Sequence, residues 1–112
     1  MSLPTAYAIL FVSIVFEIVG TSALLASQTF TRVGPSLVVA VCYGFAIFGL
    51  ALTFRTIPMG IAYAIWSGLG IVLISTVGWL VFGQRLDLPA ILGLGLIVAG
   101  VVVVNLSDAI GH

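Results

Sequence analysis

Four uninterrupted apolar runs leave this chain almost no choice of fold. They extend from Ala6 to Ala26, Ser36 to Phe54, Gly60 to Phe82 and Leu88 to Leu106, each close to the ~20 residues that carry a helix across a ~30 Å hydrocarbon core. The runs are continuous where a membrane barrel strand would alternate, and an open sheet would leave backbone groups unpaired in lipid. Composition agrees: of 112 residues, 62% are hydrophobic and 5% charged, against roughly 25% charged in a soluble domain. The expected fold is all-α and integral to the membrane, with residues 1–112 forming one transmembrane domain of four helices. Pro35, Pro58 and Pro89 fall at or just before helix starts, where a missing N–H costs nothing. No Lys or Arg precedes the first run and no small-residue cleavage site follows it, so it reads as a span and not as a signal peptide.

Charge narrows the functional classes. The charged side chains are Arg32, Arg55, Arg85, Glu17, Asp87 and Asp108, with no lysine and a net charge of zero. Nothing here offers a basic surface to nucleic acid. The single cysteine, Cys42, lies inside an apolar run and reads as a small buried hydrophobe. His112 is terminal with no second ligand near it in sequence, so neither a metal site nor a cofactor is expected. No nucleophile, base and orienting group converge, which argues against an enzyme. Asp87 beside Arg85 reads as a loop charge; Asn105, Ser107 and Asp108 read as interfacial residues at the end of the last span.

Glu17 is the exception, because it stands about eleven residues into the first span. An ionised carboxylate there costs roughly 2.5–3.5 kcal/mol on insertion scales, and no Lys or Arg lies within any span to neutralise it. Its counterpart is then a proton, or a cation that comes and goes; permanent protonation as an interhelical hydrogen-bond donor is the structural alternative. Leu10, Ser13, Gly20, Thr21 and Leu24 share its helical face, giving a small and hydroxylated stripe.

The third span supplies a second face. Tyr63, Trp66, Ser67 and Gly70 fall within about 100° of arc, and Tyr43 in the second span is available as a third ring. Aromatic faces near a carboxylate, with water excluded, suit a hydrophobic or quaternary cation. Tyr63 and Trp66 also fit the aromatic belt of a membrane interface. Gly68 and Gly70 flank Leu69 at mid-helix and fit either a conformational kink or close helix packing. Four helices are too few to enclose a sizeable cavity, so an oligomer is expected. In the last span Ala90, Gly93, Ile97 and Gly100 recur at three-, four- and seven-residue spacing, as small-residue helix contacts in lipid do, although glycine is common in membrane helices generally.

These residues resemble the small multidrug resistance transporters over nearly the whole chain. The resemblance is carried by Glu17-Ile18-Val19-Gly20-Thr21, by Phe30-Thr31-Arg32 with Pro35-Ser36, and by the long run from Ile57 through Gly68. Gly83-Gln84-Arg85-Leu86-Asp87 and the segment Gly93 to Val101 add to it. It implies an antiparallel, dual-topology homodimer of eight helices in the bacterial inner membrane, driven by the proton gradient. Two membrane-embedded glutamates would form one site shared by protons and lipophilic cations. On matched positions Glu17 corresponds to the coupling carboxylate, Trp66 to the aromatic substrate contact, and Tyr63 to the residue that gates or hydrogen-bonds the glutamate. Ser13, Gly20 and Thr21 correspond to the first-helix lining, Tyr7 and Tyr43 to further aromatic positions, and Gly93 and Gly100 to the dimer motif. Gly20-Thr21, Ile61 and Ser67 look like the quaternary-ammonium branch. One position departs: eight residues after the glutamate the family normally carries lysine, and here Leu25 stands.

The expected function is proton-coupled export of hydrophobic or quaternary ammonium cations. Transport of a smaller metabolite cation such as guanidinium, choline or a polyamine, as half of a heterodimer, is the alternative. Four spans put both termini and Arg55 on one side, with Arg32 and Arg85 on the other. Counting the terminal amine nearly erases that difference, so the positive-inside rule gives little bias. Reporter fusions at the C-terminus should therefore be found on both membrane faces in comparable amounts; a one-sided result would contradict weak orientation.

Overall fold

The computed structural model describes residues 1–106; Ser107, Asp108 and His112 lie outside the described residues. Four helices follow one another, α1 Leu3–Ala26, α2 Val33–Thr53, α3 Met59–Phe82 and α4 Leu88–Leu106. All four are long and apolar enough to cross a membrane.

Local chemistry sets the ends. The Ser2 hydroxyl accepts from the Thr5 N–H at 3.3 Å, and Pro4 sits in the first turn, so α1 begins at Leu3 and not at Ala6. α2 similarly starts at Val33, ahead of Ser36, because Gly34 and Pro35 are both accommodated in its first turn. Gly83, at φ 68°, stops α3 with a left-handed residue that costs glycine little. Asp87 is more than a loop charge, since its Oδ1 accepts from the Ala90 N–H at 3.0 Å and caps α4. Between α1 and α2, buried Ser27 donates to the Leu24 carbonyl and accepts from the Phe30 N–H. Gln28, Thr29 and Phe30 then take φ values of 49°, 62° and 63°, a left-handed run that carries roughly 1–2 kcal/mol of strain per residue.

α1 occupies the centre, in contact with α2 on one side and α3 on the other, while α4 leans mainly on α3. The α1–α2 seam is made of small residues. Ser13 meets Gly49, and seven residues further along α1 Gly20 meets Cys42 and Tyr43, seven back along α2. This antiparallel register buries Val39, Cys42, Ala46, Gly49 and Thr53 at alternating three- and four-residue steps, a left-handed packing pattern. Phe16 and Phe45 stack beside it, with centroids 5.4 Å apart and planes at 28°. The α1–α3 side is bulkier, with Leu10, Ile14 and Ile18 packed with Ile57, Ile61 and Ala62.

α3 runs uninterrupted through Gly68 and Gly70. Gly68 is the seat of α4: the Val101 side chain occupies the space a Cβ would need. α4 itself buries no residue. Lipid tails are as apolar as valine, so complementarity of shape, not a hydrophobic drive, holds this contact. Gly68→Val should cost about 1–3 kcal/mol through overpacking, and Val101→Ala in the same chain should recover part of it. Unfolding of the single and double variants in denaturing detergent checks both expectations; additive losses would show that the two residues do not meet.

Candidate functional site

Glu17 emerges on α1 between its α2-facing and α3-facing sides and is half-buried. It opens into a cavity of about 160 Å³ walled by Thr21 from α1 and by Trp66, Ser67, Gly70, Ile71 and Ile74 from α3. One turn along α1, the Thr21 hydroxyl donates to Glu17 Oε1 at 2.9 Å. Its oxygen also lies 2.7 Å from the Tyr43 hydroxyl of α2. A threonine hydroxyl has one proton to give; with that proton on Glu17, Tyr43 must be the donor to Thr21. The carboxylate therefore ends a chain running Tyr43 to Thr21 to Glu17 across two helices.

Gly20 makes this chain possible. A Cβ there would lie 2.7 Å from Cδ1 and Cε1 of the Tyr43 ring, closer than any real contact allows. Without a side chain at this position the ring rests directly against α1 and its hydroxyl reaches Thr21. Gly20 is thus a seat for Tyr43; the cavity wall itself is formed by Thr21.

The other sequence-derived positions divide by helix face. Trp66, Ser67 and Gly70 border the Glu17 cavity together. Tyr63 lies on the same arc of α3 but one turn short of the cavity, 62% exposed on the outside of the single chain. Ser13 is buried against Gly49 and donates to the Ile9 carbonyl at 2.8 Å, within the α1–α2 seam. Tyr7 lines a separate groove of about 430 Å³ shared by α1, α3 and α4, which runs past Gly68 and Val101 to Asn105. The Asn105 amide donates to the Val101 carbonyl at 3.3 Å. Among the described residues, nothing lies within 4 Å of where a Cβ would stand on Gly93 or Gly100. Ile71 and Ile74 complete the cavity wall and were not singled out from sequence. Ile71 stands four residues after Ser67 and Ile74 four after Gly70, one helical turn in each case, and that is the signal that places them there.

Among the described residues no cationic side chain shares the cavity: Arg32, Arg55 and Arg85 all lie in the connections between helices. What the site offers is one carboxylate, a hydroxyl that donates to it and is held by a second, and the Ser67 hydroxyl and an indole from α3. The chain predicts a spectroscopic signature. In difference infrared spectra the Glu17 carboxyl band should shift strongly in Thr21→Val and more weakly in Tyr43→Phe, since the outer link polarises the inner one. Bands identical to the parent protein in both variants would show that the chain does not form.

Comparison with known proteins agrees with this architecture. The family described as Small Multidrug Resistance protein matches residues 5–97. The quaternary ammonium compound-resistance protein QacE of Escherichia coli is 51% identical over 104 residues, 92% of this chain and 94% of that protein. QacF of Klebsiella aerogenes, named likewise, is 52% identical over 99 residues, 88% of this chain and 90% of its own. The multidrug transporter EmrE of Escherichia coli K12 is 54% identical over 94 residues, 84% and 86% of the two chains. A four-span chain of this length and apolarity, matched over almost all its spans at this identity, is a multi-pass inner membrane protein of the small multidrug resistance family.

Proposed function

We propose that this chain exports hydrophobic or quaternary ammonium cations in exchange for protons, with cation and proton competing for Glu17. The observation that carries the reading is a carboxylate half-buried in a cavity bordered by an indole and free of any cationic side chain. Such a group needs a counter-charge that can leave, because a permanent one would be built in. Trp66 supplies a π-face, whose attraction for a cation grows when water is excluded. Thr21 supplies a hydrogen-bond donor aimed at the carboxylate. The names of the relatives point the same way, to quaternary ammonium compounds for QacE and to multidrug transport for EmrE.

The cycle follows from charge. With a proton on Glu17 the site is neutral; with a cation bound, carboxylate and ligand neutralise each other. The empty, ionised site is the costly state in hydrocarbon. Exchange of the open side is therefore favoured when the site is occupied, and proton entry drives cation exit.

The working unit in this reading is an antiparallel homodimer. A cavity of about 160 Å³ is well below the ~300–1,000 Å³ of a site for a drug-sized ligand, so two copies must pool their space. α4 offers the surface. Among the described residues, nothing lies within 4 Å of where a Cβ would stand on Gly93, Gly95 or Gly100, although each glycine inside a helix costs roughly 0.8–1.0 kcal/mol relative to alanine. A close-packed partner helix is what such glycines serve. Tyr63, exposed and off its own chain's cavity, is assigned to the shared site formed by the pair.

Liposomes holding the purified protein should move tetraphenylphosphonium against a pH gradient, and Glu17→Gln should reduce this to the protein-free rate. Persistent pH-driven movement in Glu17→Gln would overturn the exchange reading. Movement of guanidinium in place of tetraphenylphosphonium by the parent protein would select the smaller-cation alternative.

A further inference from the structure

A second cavity of about 160 Å³ lies along the α1–α3 seam, displaced from Glu17 toward the ends of both helices. Thr21 and Ile74 border it and the Glu17 cavity alike, so the two are neighbours across a shared wall. Beyond them it is lined by Ser22, Leu25, Gly78 and Gln84 among others. Leu25 is one residue from the end of α1, and Gln84 follows the glycine that ends α3. From Glu17 to Leu25 the eight steps along α1 rise about 12 Å.

We propose that this seam is a water-filled route joining Glu17 to the membrane face that bears the α1–α2 and α3–α4 connections, with Gln84 at its mouth. The route serves protons and small hydrated cations, and its use in exchange rests on the function proposed for Glu17. Three features support it. First, hydroxyls follow one another along the path. Ser67 and Thr21 border the inner cavity, and Ser22 borders the outer one. Ser22 donates to the Ile18 carbonyl at 2.9 Å and so keeps its lone pairs for water. Polar lining at membrane depth is the mark of an ion pathway. The groove on the outer side of the same helix, bordered by Phe11, Val15, Phe16, Val19 and Cys42, has no such lining.

Second, there is room. At about 30 Å³ per water, each cavity has space for roughly five. Third, the mouth is shaped by backbone. The left-handed Gly83 turns the chain so that the Gln84 N–H reaches the Gly78 carbonyl at 2.9 Å. The Gln84 side chain then lies against the bare α carbon of Gly78, presenting a neutral amide at the entrance. The charges at this end, Arg32, Arg85 and Asp87, are all exposed in or beside the connections; none of them lines the cavity.

The test uses the full-length protein with Cys42→Ala in liposomes. Ser22→Cys should react with a membrane-impermeant methanethiosulfonate about tenfold faster than Val19→Cys, which lies one turn away in the apolar groove on the outer side of α1, since the reaction needs water and a thiolate. Filling the outer cavity with Gly78→Leu should slow both the Ser22→Cys reaction and tetraphenylphosphonium transport by about tenfold. Equilibrium binding of tetraphenylphosphonium should stay within about threefold of the parent. Gln84→Trp, which obstructs the mouth from the connection, should act in the same direction and covers the case in which Gly78→Leu does not fold. Equal labelling of Ser22→Cys and Val19→Cys, or parental transport in the filled variants, would overturn the route. Labelling does not depend on transport, so a failure of Glu17→Gln to abolish exchange would strike the function proposed for Glu17 and leave the route's own test standing.

Discussion

An ionised carboxylate at mid-span costs roughly 2.5–3.5 kcal/mol, and what surrounds Glu17 bears directly on how that cost is met. A fixed arginine or lysine would neutralise it once and for all, but every cationic side chain stands outside the helices. The chain instead gives the carboxylate a single hydroxyl, held in turn by a second hydroxyl from another helix. Two dipoles soften the charge without cancelling it. The carboxylate is left without a fixed counter-charge, as the exchange proposed for it requires.

The same environment dictates how the helices are held. Burial of apolar surface drives little here, because the surrounding lipid is as apolar as the core. Close approach has to come from matched shapes, and three contacts illustrate it: Ser13 against Gly49, Tyr43 against Gly20, and Val101 against Gly68. In each a side chain from one helix fills a notch left by a glycine in the next. The Leu10, Ile14 and Ile18 contact with Ile57, Ile61 and Ala62 is made of mostly larger, buried side chains, and the two cavities that involve Glu17 and Thr21 lie further along that side. The small-residue seam positions the hydrogen-bond chain, and the bulkier side leaves the space.

Much of this was legible in the sequence, and the reasons differ by residue. The spans follow from run length alone, and Glu17 from its isolation in them. Trp66, Ser67 and Gly70 share a face by helical periodicity, and the structure places all three on the cavity. Periodicity does not say what stands opposite a face, and that is where reading stopped. Ser13 and Gly20 lie on the Glu17 side of a helical wheel, yet the register of α2 turns both into the seam. Tyr7 is an aromatic residue near the first helix's start, but its groove belongs to α3 and α4. The cap formed by Asp87 required knowing where α4 begins, which Pro89 and the apolar run bracket only to within a few residues. The link from Tyr43 to Thr21 joins residues 22 apart in sequence, and no local pattern announces it.

The seat of Tyr43 carries a consequence for timing as well as geometry. A flexible side chain that had to find Thr21 afresh after each ligand departed would surrender rotamer entropy every time the bond re-formed. Tyr43 has only two torsions, and its ring is confined by the bare backbone at Gly20. The connection that joins its helix to α1 is six residues long, three of them fixed in left-handed conformations. Most of the disorder that could be lost was already removed when the hairpin folded. In the exchange proposed for Glu17, the donor to the carboxylate's partner would be in place before a ligand arrives, and its contribution would enter each turnover as enthalpy nearly free of an ordering penalty.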